Sequence, residues 1–110
     1  MKPSPTITVA ELHARLSSGE HPYILDVRTP EEYEHERIEG SSALIEYDLL
    51  PDSLEQLPSD KSTVIYTFCR SGRRSDIAAN YLLSIGYSRV FNVAGGILAW
   101  KKNGFTTTGR

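Results

Sequence analysis

The chain has 110 residues, 39% hydrophobic and 24% charged, with a formal net charge of −2. That size suits one compact domain burying roughly 60–70% of its unfolded surface, and the composition excludes a disordered or low-complexity chain. With no basic stripe, nucleic acid is not an expected partner, and no segment nears the roughly 20 apolar residues of a membrane span.

The opening MKPSPTITVAELHAR lacks the continuous apolar run of a signal peptide. The expectation is a soluble, cytoplasmic protein forming a single domain over residues 1–110, with flexible ends at 1–4 and 106–110. Ile7 reads as a short edge strand. Thr8 and Glu11 have capping-box spacing for a helix through Leu12 and Leu16 that stops near Gly19. YILDV, Tyr23 to Val27, is a strand buried on both faces and ends in Asp26. Thr29, Pro30 and Glu32 then stand as N-cap, first helical position and N3 of a short helix. A weak strand around Ser42 to Ile45 and a helical turn over 52–57 follow. Ser62 to Phe68, β-branched and aromatic, is the clearest strand. Ile77, Ala78, Tyr81, Leu82 and Ile85 share one face of the next helix, which Gly86 closes. A strand from Arg89 and a last helix opened by Gly95-Gly96, running through Trp100 to Gly104, complete the chain. Apolar strands alternating with helices predict an α/β fold, with a parallel sheet of about five strands and helices on both faces.

The stretch FCRSGRRS, Phe68 to Ser75, holds the only cysteine, so no intramolecular disulfide forms and a free thiol needs a purpose. It lies in a strand-loop-helix segment, and open parallel sheets bind ligands beyond the carboxyl ends of their strands. A thiol is nucleophilic as its thiolate, which nearby positive charge or a helix N-terminus favours. Both are offered here. Gly72 can take a positive φ, curling the backbone so that successive N–H groups form an anion-binding nest. Cys69 is expected at the base of an open, shallow positive pocket, with Arg70 and Arg73 at its rim, where they can recruit a small oxyanion. Ser71 and Ser75 can add hydroxyl contacts. Arg74 fits two roles, anion binding or partnering a buried carboxylate such as Asp26. Asp26 and Arg28 end the second strand on the same sheet edge, as an ion pair or turn that supports the site. His13, His21 and His35 lack metal-ligand spacing, so no metal or organic cofactor is expected.

The loop, with Cys69, Gly72 and Arg74 in the pattern Cys, two residues, Gly, one residue, Arg, resembles the rhodanese family of sulfurtransferases. LDVRTPEEYEHERIEG, Leu25 to Gly40, resembles that family's first signature, and NVAGGILAW, Asn92 to Trp100, resembles its last. One departure is Glu36-Arg37, where Gly-His is usual. The resemblance implies a three-layer rhodanese-like domain and a ping-pong thiosulfate sulfurtransferase. Cys69 would carry a persulfide taken from thiosulfate or another small anionic sulfur donor, then pass sulfur to cyanide or a thiol acceptor. The segment Arg70, Ser71, Gly72, Arg73, Arg74 and Ser75 would bind the substrate anion.

The same residues would serve a persulfide carrier in a sulfur relay with a partner protein. A Cys-dependent phosphatase or arsenate reductase of the same fold is a further alternative. Those loops place Arg six positions after the Cys, where this chain has Ser75, and a reductase needs a second Cys. A purely regulatory binding module would lack the nucleophile.

Overall fold

The structure is a computed structural model that describes residues 3–109; expectations falling on 1, 2 and 110 lie outside the described residues. Five strands, β1 (Thr6–Ile7), β2 (Tyr23–Asp26), β3 (Ala43–Leu44), β4 (Ile65–Phe68) and β5 (Val90–Val93), form one sheet in the order β1-β5-β4-β2-β3. Every pairing is parallel, with Asp26 beside Phe68 and Thr67 beside Asn92. Four α-helices alternate with the strands: α1 (Val9–Ser17), α2 (Pro30–His35), α3 (Arg73–Ser84) and α4 (Gly96–Lys102). This is the three-layer α/β arrangement expected from the strand and helix patterns. Both capping boxes are present, Thr8 with Glu11 and Thr29 with Glu32. The helical turn expected over 52–57 is two 3₁₀ turns, Tyr47–Asp52 and Leu54–Gln56, with Pro51 inside the first.

Each face of the sheet supports its own core. Leu25, Val27, Ile65, Ala78, Ala79, Leu82 and Val90 pack together on the α3 side, while Leu12, Ile24, Tyr66, Phe68, Ile97 and Trp100 pack on the α1 and α4 side. Adjacent strand residues thus split between the two cores, as period-two alternation requires. The helical period of α3 holds, but its phase differs from expectation. Ser75, Ala78, Ala79 and Leu82 form the buried stripe, and Ile77 is 47% exposed. The helix is rotated so that its first turn presents Ser75 to the sheet.

Both ends make contacts with the body of the domain where they are described. Ser4 is buried, and both its N–H and its hydroxyl donate to Asp76 Oδ1, at 2.9 and 2.6 Å. Near the other end, Arg37 and Thr108 exchange backbone hydrogen bonds of 2.8 Å in both directions. Glu36, standing where the resemblance expects Gly, accepts from Lys101 at 3.1 Å and Thr107 at 2.7 Å. The departure at Glu36-Arg37 therefore ties down the C-terminal segment. No helix among the described residues is long and apolar enough to cross a membrane.

Candidate active site

Alternation along β4 decides where the cysteine points. Ile65 faces the α3 side, Thr67 donates through Oγ1 to the Ser75 carbonyl at 2.9 Å, and Cys69 follows on that same face. The thiol is thereby aimed at the first turn of α3. Gly72, the N-cap of α3, has φ 101° and lies so close to Gly95 that a Cβ would come within 3.2 Å of its nitrogen. In this left-handed conformation, ordinarily accessible to Gly, its N–H turns back toward the sulfur. Gly72 N–H donates to Cys69 Sγ at 3.1 Å and Ser75 N–H at 3.4 Å, while Ser75 Oγ lies 3.2 Å away. The expected convergence of loop and helix N-terminus on Cys69 is therefore present.

α4 holds the loop from the other side. Ile97 N–H donates to the Cys69 carbonyl at 3.0 Å and Leu98 N–H to the Arg70 carbonyl at 3.1 Å. Both carbonyls are thus turned toward α4 and away from the sulfur. A Cβ on Gly96 would fall 2.2 Å from the Cys69 oxygen and 2.6 Å from the Arg70 oxygen, so only Gly fits there. Gly95-Gly96 does more than make a tight turn: it lets the N-terminus of α4 cap the loop. Trp100 is a core residue, and its Nε1–H donates to the Thr106 carbonyl at 2.8 Å.

Two features depart from the sequence-based expectation. Cys69 is 0% exposed, so it is not at the floor of an open shallow pocket. Its side chain points inward beneath the loop, and the backbone that donates to the sulfur also encloses it. Arg74 reaches neither Asp26 nor the loop interior; Nη1 and Nη2 donate to Glu32 Oε1 and Oε2 at 2.7 and 2.9 Å. Glu32 is the N3 residue of the α2 capping box, so one carboxylate fastens the starts of α2 and α3 together. The Arg74 guanidinium, foremost, and the Thr29 N–H hold its carboxyl at about 2 despite partial burial. Asp26 is occupied by Arg28, whose Nη2 and Nε donate to it at 2.8 and 3.0 Å, with both residues buried. They form the ion pair expected at the end of the second strand.

Arg70, Ser71 and Arg73 are exposed, and no ion pair engages either arginine among the described residues. A groove of about 200 Å³ runs past Arg70 between α2 and α4, lined also by Arg28, Glu32, Leu98 and Lys101.

Sequence reasoning missed Asn92. It sits in β5 beside Thr67 on the α3 face, where Oδ1 accepts from Ser75 Oγ at 2.5 Å and Nδ2 donates to the Gly72 carbonyl at 3.0 Å. Both of those residues touch the sulfur. The available signal was an Asn, a poor strand former, at an inward position of an otherwise apolar strand.

Residues 8–103, from the α1 N-cap through the end of α4, match the family described as Rhodanese-like domain. The chain belongs to that family. A sulfurtransferase from Allochromatium vinosum is 41% identical over 93 residues, covering 84% of both chains. Thiosulfate sulfurtransferase 16, chloroplastic, from Arabidopsis thaliana is 39% identical over 114 residues, covering 93% of this chain and 91% of its own. Among solved structures, the rhodanese-like domain of an Anabaena sp. protein superimposes with a TM-score of 0.83 at 33% identity. That superposition covers 100% of this chain and 81% of the Anabaena one. The three segments resembling rhodanese signatures lie together in this fold: the end of β2 with α2, the Cys69 loop, and the start of α4.

Proposed function

We propose that this rhodanese-like domain is a sulfurtransferase that carries sulfane sulfur as a persulfide on Cys69. Family membership and the sulfurtransferase relatives support sulfur transfer as the activity. The observation that carries the assignment to Cys69 is the convergence of the Gly72 and Ser75 N–H groups and the α3 N-terminus on the one thiol of the chain. Such donors favour negative charge on sulfur before and after transfer.

In the loading step the Cys69 thiolate attacks the outer sulfur of thiosulfate. A new S–S bond forms, the old one breaks, and sulfite leaves with the bonding electron pair. In the second step cyanide or a thiolate attacks the outer sulfur of the persulfide, and Cys69 departs as thiolate, completing a ping-pong cycle. Arg70 and Arg73, exposed and with no ion-pair partner among the described residues, recruit the dianion and shape its approach. Ser71 offers a further hydroxyl at the same rim. Arg74 acts at one remove, holding the α3 N-terminus through Glu32. Because Cys69 is enclosed, the segment 70–72 must yield for the donor to reach the sulfur. A partner protein bearing a persulfide could load the same thiol.

The phosphatase alternative is disfavoured by position 75, where such enzymes carry their anion-gripping Arg. Here Ser75 is fully buried, with its hydroxyl engaged by Cys69 and Asn92. The test is thiocyanate formation from thiosulfate and cyanide by the wild-type protein and Cys69→Ser. Turnover by the first and none by the folded variant is expected. Turnover retained by Cys69→Ser, or a phosphomonoesterase rate that Cys69→Ser abolishes, would overturn the reading.

A further inference from the structure

We propose that Asn92 is a positioning residue that governs the ionisation of Cys69 through the Ser75 hydroxyl, a role that rests on Cys69 being the nucleophile. The donor and acceptor inventory fixes the direction of each bond. The Gly72 carbonyl can only accept, so the Asn92 group 3.0 Å from it is the amide nitrogen, and Oδ1 faces Ser75. Oδ1 can only accept, so the single Ser75 hydroxyl proton is committed to the 2.5 Å bond with Asn92. Ser75 then turns an oxygen lone pair toward Cys69 Sγ, 3.2 Å away. The proton in that contact must come from sulfur. With the hydroxyl on Asn92, the arrangement fits a neutral thiol, S–H to Oγ, and opposes a thiolate.

Ionisation of Cys69 requires the hydroxyl to leave Asn92 and donate to sulfur. Ser75 is 0% exposed and Asn92 is 6% exposed, so bulk water does not readily replace either partner. In the persulfide the negative charge lies on the outer sulfur and Sγ is neutral again, so the hydroxyl can return to Asn92. The Ser75 hydroxyl therefore turns twice per cycle, and Asn92 sets the balance between its two positions.

The loop does not depend on Asn92 alone. The Gly72 carbonyl also accepts from Asp76 N–H at 3.1 Å, within the first turn of α3. The charged groups around the thiol are Arg70, Arg73, Arg74 and Asp76 on the loop and α3, Glu32 of α2 paired with Arg74, and the Asp26–Arg28 pair at the end of β2. From α4 the backbone N–H groups of Ile97 and Leu98 meet the loop carbonyls, Lys101 lies across the groove beside Arg70, and β5 adds uncharged Asn92. None of the charged side chains has a hydrogen bond to Ser75 or Asn92, so a substitution at Asn92 leaves them in place.

The experiment follows the ultraviolet absorbance of the thiolate against pH, with the Cys69→Ser protein subtracted to remove the six tyrosines. Asn92→Ala frees the Ser75 hydroxyl to donate to the thiolate. A hydrogen bond to a charged group changes an equilibrium by about tenfold or more, so the midpoint should fall by about one pH unit. Asn92→Asp keeps the acceptor and should show no fall. In a Ser75→Ala background, Asn92→Ala should cause no shift. Should Asn92→Ala not fold, Asn92→Val, better suited to a strand, carries the same expectation. A midpoint that stays or rises in Asn92→Ala, that falls in Asn92→Asp, or that falls equally in Asn92→Ala without Ser75, overturns the proposal. The titration needs no sulfur donor, so its failure leaves the persulfide cycle standing, and failure of the cycle leaves the titration readable.

Discussion

Replacing Glu32 by Gln isolates the charge that joins α2 to α3. Gln can still serve at N3 of a capping box, so the local helix start is retained while the carboxylate facing Arg74 is lost. The Glu32 carboxyl lies at about 2 against an ordinary 4.5, which at 1.36 kcal/mol per unit is about 3 kcal/mol at face value. The two side chains are 26% and 29% exposed, and solvent screening reduces the expected contribution to about 1–2 kcal/mol. Because the folded value lies below the unfolded one, this stabilisation is complete above about pH 4.5 and is lost as pH falls toward 2. Urea unfolding of both proteins at neutral pH and near pH 3 measures it. Glu32→Gln should have the lower midpoint at neutral pH, and less than half of that gap should remain near pH 3. Equal midpoints at neutral pH, or a gap undiminished in acid, would refute the claim that a charged pair ties these helices.

Gly96→Ala places a Cβ against the Cys69 and Arg70 carbonyls and should destabilise by about 3 kcal/mol or more and abolish transfer. Gly86→Ala, also at positive φ but with open space around it, should lose only about 1–2 kcal/mol; thermal melts of the two variants make the comparison. Arg28→Met strands the buried Asp26 carboxylate and should cost about 3–5 kcal/mol in denaturant unfolding, whereas a loss under 1 kcal/mol would mean water reaches Asp26. Replacing Arg70 and Arg73 together by Ala should raise the thiosulfate KM and flatten its salt dependence with little change in kcat. An unchanged KM would assign those arginines to solvent or to a protein partner.

What was legible in the sequence is what depends on neighbours along the chain. Strands ending in Asp26 and Phe68, the capping boxes at Thr8 and Thr29, and the strand-loop-helix around Cys69 are carried by local patterns, and all are present. The aim of Cys69 at α3 also follows from alternation along β4. The phase of α3 did not, because apolar spacing alone favoured Ile77, whereas contacts of Ser75 with Thr67, Cys69 and Asn92 set the rotation. Arg74 had two open roles in the sequence, and its partner Glu32 lies 42 positions away on a different helix. Glu32 was already accounted for as a capping residue, and nothing local announces that one carboxylate does both. Asn92 was invisible for a similar reason: an amide in a strand gains meaning only when the register with Thr67 brings it beside Ser75 and Gly72. The loop backbone encloses Cys69 and α4 holds that loop through its carbonyls, a contact between segments that no linear pattern encodes.

The central claim is that Cys69 carries the transferred sulfur. Intact mass of the purified protein, taken before and after thiosulfate and again after cyanide, tests it most directly. The expected result is a gain of one sulfur atom, located on Cys69 by peptide mapping and removed by cyanide as thiocyanate. A protein that turns thiosulfate and cyanide into thiocyanate without ever gaining mass at Cys69 would contradict the persulfide mechanism.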